Sequence, residues 1–262
     1  MKNHGFSLVE LSIVLVILGL LTGGILAGQS LIRASELRSV SVDYSRYVAA
    51  VQSFRDKYSG FPGDFKDASR YWGRMNSNSD CVTNSSAAVA TPGACDGNAD
   101  GSIVGAAAAS QSGESFQFWR MLANAGLIEG SYTGLAGPST ANWVGNDAVL
   151  GTNVPRSKMS NAGWGMITLN SNGDSSTYKN NYGNMFIFGA QNTGNYPVGS
   201  ALKPEEAWNI DTKMDDGKPG SGKIWAWNWS ACTTSASNTD YTGAYAVSTT
   251  SLVCSLWFAS AF

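Results

Sequence analysis

The stretch GFSLVELSIVLVILGLLTGGILAGQSLI, residues 5–32, decides the architecture of this chain. No charged residue occurs between Leu11 and Ile32, and a helix of that length covers about 33 Å at ~1.5 Å per residue. Because the hydrocarbon layer of a bilayer is ~30 Å thick, the segment is long enough to span a membrane. Glu10 stands out, since a targeting or anchoring segment has no need of a carboxylate where its apolar run begins.

A cleavable secretory signal peptide, cut near Ala27 or Gly28, is the first alternative for this segment. The apolar run is longer than the usual core of such a peptide, and the basic region before it offers only Lys2 and His4. Glu10 also interrupts its start. A plain uncleaved anchor fits the length of the run but again leaves Glu10 without a role.

The sequence from Gly5 to Glu10, followed by the long apolar run, resembles the processing site of type IV prepilins and of the pseudopilins of type II secretion. The resemblance implies that a membrane-embedded aspartic peptidase cuts between Gly5 and Phe6 and methylates the new amino terminus. Phe6 then becomes N-methylphenylalanine, and Glu10 is the acidic residue of the family. The implied partners are further copies of the chain or other pilins in a helical filament, the prepilin peptidase, an inner-membrane platform protein and an assembly ATPase.

Elementary chemistry gives Glu10 a role in this setting. Cleavage after Gly5 leaves an ammonium group on Phe6, and Phe6 and Glu10 stand one turn apart on the same face of a helix. A carboxylate in the first turn also meets the positive end of the helix dipole. In an apolar bundle an unpaired charge is costly and a paired charge much less so. The spacing leaves open whether the partner amine belongs to the same chain or to a neighbouring subunit, and the resemblance implies the neighbour.

The same helix is predicted to continue outside the membrane. Apolar residues recur at alternating steps of three and four from Leu37 to Tyr58, which is the pattern of one buried helix face. The sequence GFPG at residues 60–63 then ends the element. We therefore predict a leader at residues 1–5, a helix at 6–59 with a membrane half at 6–32 and an amphipathic half at 33–59, and a periplasmic or extracellular globular domain at 60–262.

The globular part is predicted to be α+β. The chain has 262 residues, 43% of them hydrophobic, which is enough for a sizeable core. Further helices are predicted at residues 64–74, 114–126 and 204–214, with a long polar loop at 76–113. Strands are predicted at 165–169, 184–189, 223–229, 245–248 and 252–258. Helices followed by clustered strands favour an antiparallel sheet, so the expected shape is the pilin-like lollipop, a long helix packed on that sheet with extra short helices.

The run KIWAWNW, residues 223–229, places three tryptophans, Trp225, Trp227 and Trp229, on one face of the predicted strand. We predict that this face packs as core beneath the long helix. An exposed face that stacks on glycan is the alternative, because indole rings suit both settings.

The four cysteines, Cys81, Cys95, Cys232 and Cys254, contain no Cys-x-x-Cys pair, and the single histidine, His4, precedes the apolar run. A zinc–thiolate site is therefore disfavoured and two disulfides are predicted. Of the three pairings, Cys81 with Cys95 and Cys232 with Cys254 closes the shortest loops. Because disulfides form outside the cytoplasm, we expect a single pass through the bacterial inner membrane with a periplasmic carboxyl terminus.

One acidic stretch in the long loop is a candidate calcium site. DGNADGSI, residues 96–103, matches the first half of a D-x-N-x-D-G calcium loop. The twelfth position of that loop is Ala107 instead of glutamate, so a carboxylate has to come from elsewhere. The candidate ligands are Asp96, Asn98, Asp100, the Ser102 carbonyl and Glu114. A loop without an ion, stabilised by Asx turns, is the alternative.

A second and weaker calcium candidate comprises Asp211, Asp215 and Asp216, at the end of the predicted helix 204–214. Acidic side chains at the carboxyl end of a helix oppose the helix dipole, so a cation or a neighbouring lysine is needed to offset them. Calcium is the only cofactor that the sequence predicts.

The sequence favours a structural role over catalysis. A net charge of −2 gives no field that gathers nucleic acid. If the cut follows Gly5, the mature chain has no histidine, which excludes Ser-His-Asp and Cys-His catalysis. We expect a pilin or pseudopilin, located after assembly in a periplasmic pseudopilus or a cell-surface pilus. A minor pilin or tip adhesin that binds a glycan or another surface ligand is the alternative.

Overall fold

The computed structural model describes residues 8–75, 93–105, 113–138 and 146–262. These residues form five helices and four strands, in the order α1 (Leu8–Tyr58), α2 (Ala68–Trp72), α3 (Glu114–Asn124), β1 (Ala162–Ser171), β2 (Asn180–Ala190), α4 (Pro204–Met214), β3 (Ile224–Trp227), α5 (Trp229–Cys232) and β4 (Ser255–Phe258). The strands pair antiparallel in one sheet with the order β1-β2-β4-β3. The predicted α+β fold with a long amino-terminal helix is confirmed.

Helix α1 ends at a left-handed residue. Ser59 has a φ of 55°, and its N–H donates to the Arg55 carbonyl at 2.8 Å. A Cβ on Gly60 would lie 2.9 Å from the ring of Phe65, so the chain beyond the helix passes too close to that ring for a larger residue. The structure thus ends the helix at Tyr58, one residue before the predicted end.

Aromatic side chains of α1 join the helix to the sheet. Tyr47 meets Trp119 of α3 and Trp164 of β1 edge-on, with ring centroids 5.0 and 5.6 Å apart. Tyr44 stacks on Phe258 of β4 at 4.6 Å. Because such pairs contribute roughly 0.5–1.5 kcal/mol each beyond their burial, they hold α1 firmly on this face of the sheet. The core therefore lies between the sheet and the layer formed by α1 and α3.

The cross-strand register corrects the predicted position of the tryptophans. Ile224 pairs with Phe258, whereas Trp225 pairs with Trp257. Since Phe258 contacts α1, the tryptophan face of β3 points away from that helix. The prediction that these rings pack beneath the long helix is wrong, because the smaller side chains of Ile224 and Ala226 occupy that space. Trp225 is buried on the opposite face of the sheet.

Most of the predicted elements of the domain have different bounds in the structure, and only the helix at 204–214 matches its prediction. Residues 245–248 form no strand, and only an isolated bridge joins Tyr245 to Thr233. The strand predicted at 223–229 stops at Trp227, because Asn228 adopts a left-handed φ of 62° before α5 begins. The helix predicted at 64–74 is reduced to α2. The carboxylate of Asp64 accepts the N–H of Asp100 in a neighbouring loop, so this residue does not start the helix.

Candidate functional site

The predicted processing site precedes α1 in the sequence. Gly5 and Phe6 lie outside the described residues. Glu10 is in the first turn of α1, exposed beside Leu8 and Leu11, which are 84% and 58% exposed. It is the only charged residue between positions 8 and 32. The structure therefore presents one carboxylate on an otherwise uncharged surface.

Residues 8–32, which we call the apolar column, have no cover from the described domain. Among the described residues, α1 is the one helix that is long and apolar enough to cross a membrane, and none of its most apolar stretch is buried. A Cβ built on any of Gly19, Gly23, Gly24 and Gly28 meets nothing within 4 Å. Small residues at such spacing allow helices to approach closely in lipid or in a bundle. The apolar column is thus available to lipid or to other helices.

Arg33, the first charged residue after the apolar column, joins α1 to α4. Its Nε and Nη2 donate to the two carboxylate oxygens of Glu206, both at 2.6 Å. Nη1 donates to Glu36 at 3.1 Å, and Nη2 also reaches the Ala201 carbonyl at 3.3 Å. Burial, the largest single influence, acts to raise the pKa of Glu206, but the hydrogen bonds from Arg33 and from the Lys203 N–H, together with the positive charges of these two residues, outweigh it and lower that pKa. A two-pronged pair of this kind fixes orientation as well as distance.

Helix α4 runs beside α1 from the level of Arg33 onward. A groove of about 440 Å³ separates the two helices, lined by Ala34, Leu37, Arg38, Ser41, Asn209, Ile210 and Lys213. Residue numbers increase in the same direction on both helices, so α4 is parallel to α1. The sequence predicted both helices but not this pairing. Partners 173 positions apart leave no local pattern, and Glu206 could be read only as a residue of the first turn of α4.

The first predicted calcium loop is held by hydrogen bonds of its own. The Asp96 carboxylate accepts the N–H and the hydroxyl of Ser69 at 2.7 and 2.8 Å, so it is bound to the start of α2. The Asp100 N–H donates to Asn98 Oδ1 at 3.0 Å, and the Ser102 N–H donates to Asp100 Oδ1 at 2.8 Å. These are the Asx turns of the alternative without an ion.

Two buried carboxylates, those of Asp64 and Glu114, accept hydrogen bonds from backbone N–H groups of this segment. Glu114 accepts the N–H of Val104 at 3.1 Å, and Asp64 accepts the N–H of Asp100 and of Gly101 at 3.2 and 2.8 Å. Burial raises the pKa of Glu114 to about 7, and the charges of Asp64 and Asp100 act in the same direction. Asp64 was not among the predicted ligands, because it precedes the loop by more than 30 positions in a segment predicted to be helical.

The second acidic group does come together. Oxygens of Asp211, Asp215 and Asp216 lie within 4.8 Å of one another, and among the described residues this is the one cluster of its kind that could hold a metal. Asp211 is fully buried and accepts the Tyr245 hydroxyl at 2.8 Å and the Gly217 N–H at 3.1 Å. Burial, aided by the two neighbouring carboxylates, raises the pKa of Asp211 to about 7. An oxygen cluster of this kind has the chemistry that suits either a calcium ion or a shared proton.

Cys232 and Cys254 form the predicted disulfide, with their Cα atoms 5.1 Å apart. The bond joins the end of α5 to the residue before β4 and lies in the core. Cys95 is also disulfide-bonded, and its predicted partner, Cys81, lies outside the described residues. The presence of disulfides agrees with a domain that folds in an oxidising compartment.

Comparison with known proteins places the amino terminus in a defined class. The prokaryotic N-terminal methylation motif matches residues 1–26. Searches of curated proteins and of solved structures gave no match. The matched segment contains Gly5, Phe6 and Glu10 and most of the apolar column. The chain therefore carries, at its amino terminus, the methylation motif that is the signature of type IV pilins and pseudopilins.

Proposed function

We propose that the chain is a structural subunit of a helical filament, a type IV pilus or a type II secretion pseudopilus, made first as a membrane-held precursor. The observation that carries this proposal is the apolar column, which has Glu10 in its first turn, lacks cover from the described domain, and ends where Arg33 anchors the helix to α4. Lipid covers such a surface in the precursor, and the helices of other subunits cover it in a filament.

The proposed sequence of events follows from the amino-terminal chemistry. The prepilin peptidase cuts after Gly5 and methylates Phe6, which leaves an ammonium group at the start of the column. Glu10 pairs with such an ammonium group, on the same chain or on the next subunit, while the column passes from lipid into the filament core. An assembly ATPase, acting through the inner-membrane platform protein, supplies the energy. The chain's own task is structural and not enzymatic.

Mass spectrometry of sheared filaments tests this function. We expect the chain without its first five residues and with one added methyl group on Phe6, in many copies along the filament. A matched Gly5 variant should keep the full-length mass and stay in the membrane. An intact Met1 in the filaments, or an amino terminus near Gln29, would show that a different processing route applies.

A groove on the outer face of the sheet favours recognition at the filament tip as a second candidate function. Trp227 stacks on Trp257 with ring centroids 4.7 Å apart. Both rings line a groove of about 270 Å³ that also includes Ile167, Leu169 and Asp174. Indole faces beside a carboxylate suit the apolar face and the hydroxyls of a sugar ring.

Titration of the protein with a panel of glycans, followed by tryptophan fluorescence, tests this second function. A saturable change that is lost in Trp227→Ala would support recognition. No change with any glycan, together with many copies along the filament, would reject recognition and leave the structural role as the function.

A further inference from the structure

Three exposed apolar side chains of the domain belong to α4 or to segments beside it. Beyond the apolar column, the large apolar side chains exposed among the described residues are Val42, Tyr71, Trp208, Tyr241, Val247 and Leu252. Trp208 is in α4, and it lines a shallow hollow together with Val247. Leu252 precedes Val253, whose N–H donates to the Leu202 carbonyl at 3.1 Å, two residues before α4. We call Trp208, Val247 and Leu252 the basal patch.

The ion pair of Arg33 fixes the height of the basal patch relative to the apolar column. Arg33 directly follows Ile32, the last residue of the column, and it contacts both Glu206 and the Ala201 carbonyl. Trp208 lies two residues after Glu206, about 3 Å further along the helix axis. Trp208 therefore lies within roughly one helical turn of the point where the chain leaves the apolar column.

We propose that the basal patch rests on the phospholipid surface while the column spans the membrane. This contact rests on the membrane-held precursor proposed above. Tryptophan is favoured at the boundary between hydrocarbon and headgroups, where its ring is covered and its N–H stays hydrated. Aliphatic side chains such as Val247 and Leu252 gain from the same partial burial in the acyl boundary.

Glu205 lines the same hollow as Trp208 and Val247, and a cation, Arg38, lies in the neighbouring groove between α1 and α4. The headgroup layer on each side of a bilayer is about 5–7 Å thick. Arg38 is exposed and lies five residues after Arg33, which is about 7.5 Å along α1. That distance places the Arg38 backbone at the outer edge of the headgroup layer, and because helical side chains lean toward the amino end of the helix, its guanidinium reaches back to the lipid phosphates, which it can bind through paired hydrogen bonds. Lipid is favoured over a second copy of the chain, because the covalent link to the column holds the patch at the membrane surface at any protein concentration.

The experiment uses the full chain in vesicles of phosphatidylcholine and phosphatidylglycerol, with bromine on the acyl carbons next to the headgroups. Bromine quenches only indoles that touch these carbons. We expect the tryptophan fluorescence of the wild-type chain to be quenched and Trp208→Phe to lose at least half of that quenching. Tyr71→Trp is the matched control. Tyr71 is 59% exposed and packs on Tyr58, about 38 Å beyond Arg33, so an added indole there should escape quenching.

Flotation of the same vesicles separates the two proposals. A chain that does not float with the vesicles overturns both the membrane-held precursor and the lipid contact. A chain that floats but shows equal quenching in wild type and Trp208→Phe overturns the lipid contact alone. Equal quenching together with photocrosslinks between chains from position 208 would assign the patch to a second copy. Near-UV circular dichroism confirms that Trp208→Phe keeps the fold, since the side chain is exposed.

Discussion

Glu10 carries the only charge of the apolar column, so its effect on assembly should be separable from its effect on membrane insertion. Glu10→Gln keeps the shape of the side chain and removes the charge that would pair with an amine in an apolar bundle. We expect this variant to be inserted, cut and methylated normally, while the amount of sheared filament falls at least tenfold. Immunoblots of sheared and membrane fractions measure the two quantities.

Glu10→Asp is the matched control, because it keeps the charge but shortens its reach. We expect filament levels between those of the wild type and of Glu10→Gln. If Glu10→Gln assembles as well as the wild type, the charge has no part in assembly and the proposed pairing is wrong.

Asp211 predicts a pH dependence of stability. Its pKa is about 7 in the folded protein and about 4 in an unfolded chain, so the folded state binds more protons between these pH values. The free energy of unfolding therefore falls as the pH rises from about 4 to about 7, and the stabilising effect of protonation is absent above that range. We expect a higher melting temperature at pH 5 than at pH 8, measured by near-UV circular dichroism of the full chain in detergent.

Asp211→Asn tests this assignment, because an amide is uncharged at both pH values. It should reduce the difference in melting temperature between pH 5 and pH 8. Glu114, whose pKa is also raised to about 7, should maintain part of that difference. Asp56→Asn, at an exposed position on α1, is the control and should leave the difference unchanged. An equal pH difference in Asp211→Asn and the wild type would contradict the assignment.

At the scale of elements, the pair of Arg33 and Glu206 determines how α1 and α4 sit together. Arg33→Gln or Glu206→Gln removes a two-pronged hydrogen bond to a partly buried group, and we expect each to lower the free energy of unfolding by about 1–2 kcal/mol. The double variant should lose less than the sum of the two, because the partners interact with each other. Arg38→Gln, at an exposed position, should change stability by less than ~0.5 kcal/mol. Additive losses would mean that the two side chains act independently.

The carboxyl end of α4 is where calcium is best tested. Calcium stays a prediction at both acidic groups. Bound in excess, at ~100 times its dissociation constant, it would stabilise the fold by about 2.7 kcal/mol, so we expect a higher melting temperature with calcium than with chelator at pH 8. Asp215→Asn with Asp216→Asn should remove this rise, whereas Asp100→Asn removes it if the loop is the site. An unchanged melting temperature and no calcium in equilibrium dialysis would reject both sites.

Elements were predictable where a local pattern defines them. The start of α4 could be read from Pro204 in its first turn, and the apolar period from Leu37 to Tyr58 indicated the buried half of α1. The faces of β3 could not be read, since alternation separates Trp225 from Ile224 but does not say which side meets the helix. That choice depends on the register with β4, which is a contact between distant residues.

At the scale of the whole molecule, the Cys232–Cys254 disulfide closes a loop of 22 residues that includes most of the carboxyl-terminal turns. In the chain-entropy account a loop of this size contributes about 3 kcal/mol. We expect Cys232→Ala with Cys254→Ala to lower the free energy of unfolding by roughly that amount in urea titrations. A loss below ~1 kcal/mol would show that the turns hold themselves without the bond.

The residues of the candidate site also fall into two groups, those that a local sequence pattern predicts and those that depend on contacts between distant residues. Gly5, Phe6 and Glu10 were predicted from a short stretch of consecutive residues, and the methylation motif that matches residues 1–26 includes all three. Cys232 and Cys254 followed from loop length alone. Three features could not be predicted, since each depends on residues that only the folded chain brings together. They are the ion pair of Arg33 with Glu206, the hydrogen bonds of Asp64 to the loop, and the basal patch.

Helix α1 and the domain form one rigid body. They are joined by the aromatic contacts of Tyr44 and Tyr47 and by the ion pair of Arg33. A continuous helix transmits rotation about its axis, so torque applied to residues 8–32 turns the domain through the same angle. Each residue of axial register corresponds to about 100° of azimuth at 3.6 residues per turn. If a column moved by one residue as a screw, so that each residue took the place of its neighbour, the outer face of the sheet would turn by about 100°, and the azimuth of the domain in a filament would report the register of the buried helices.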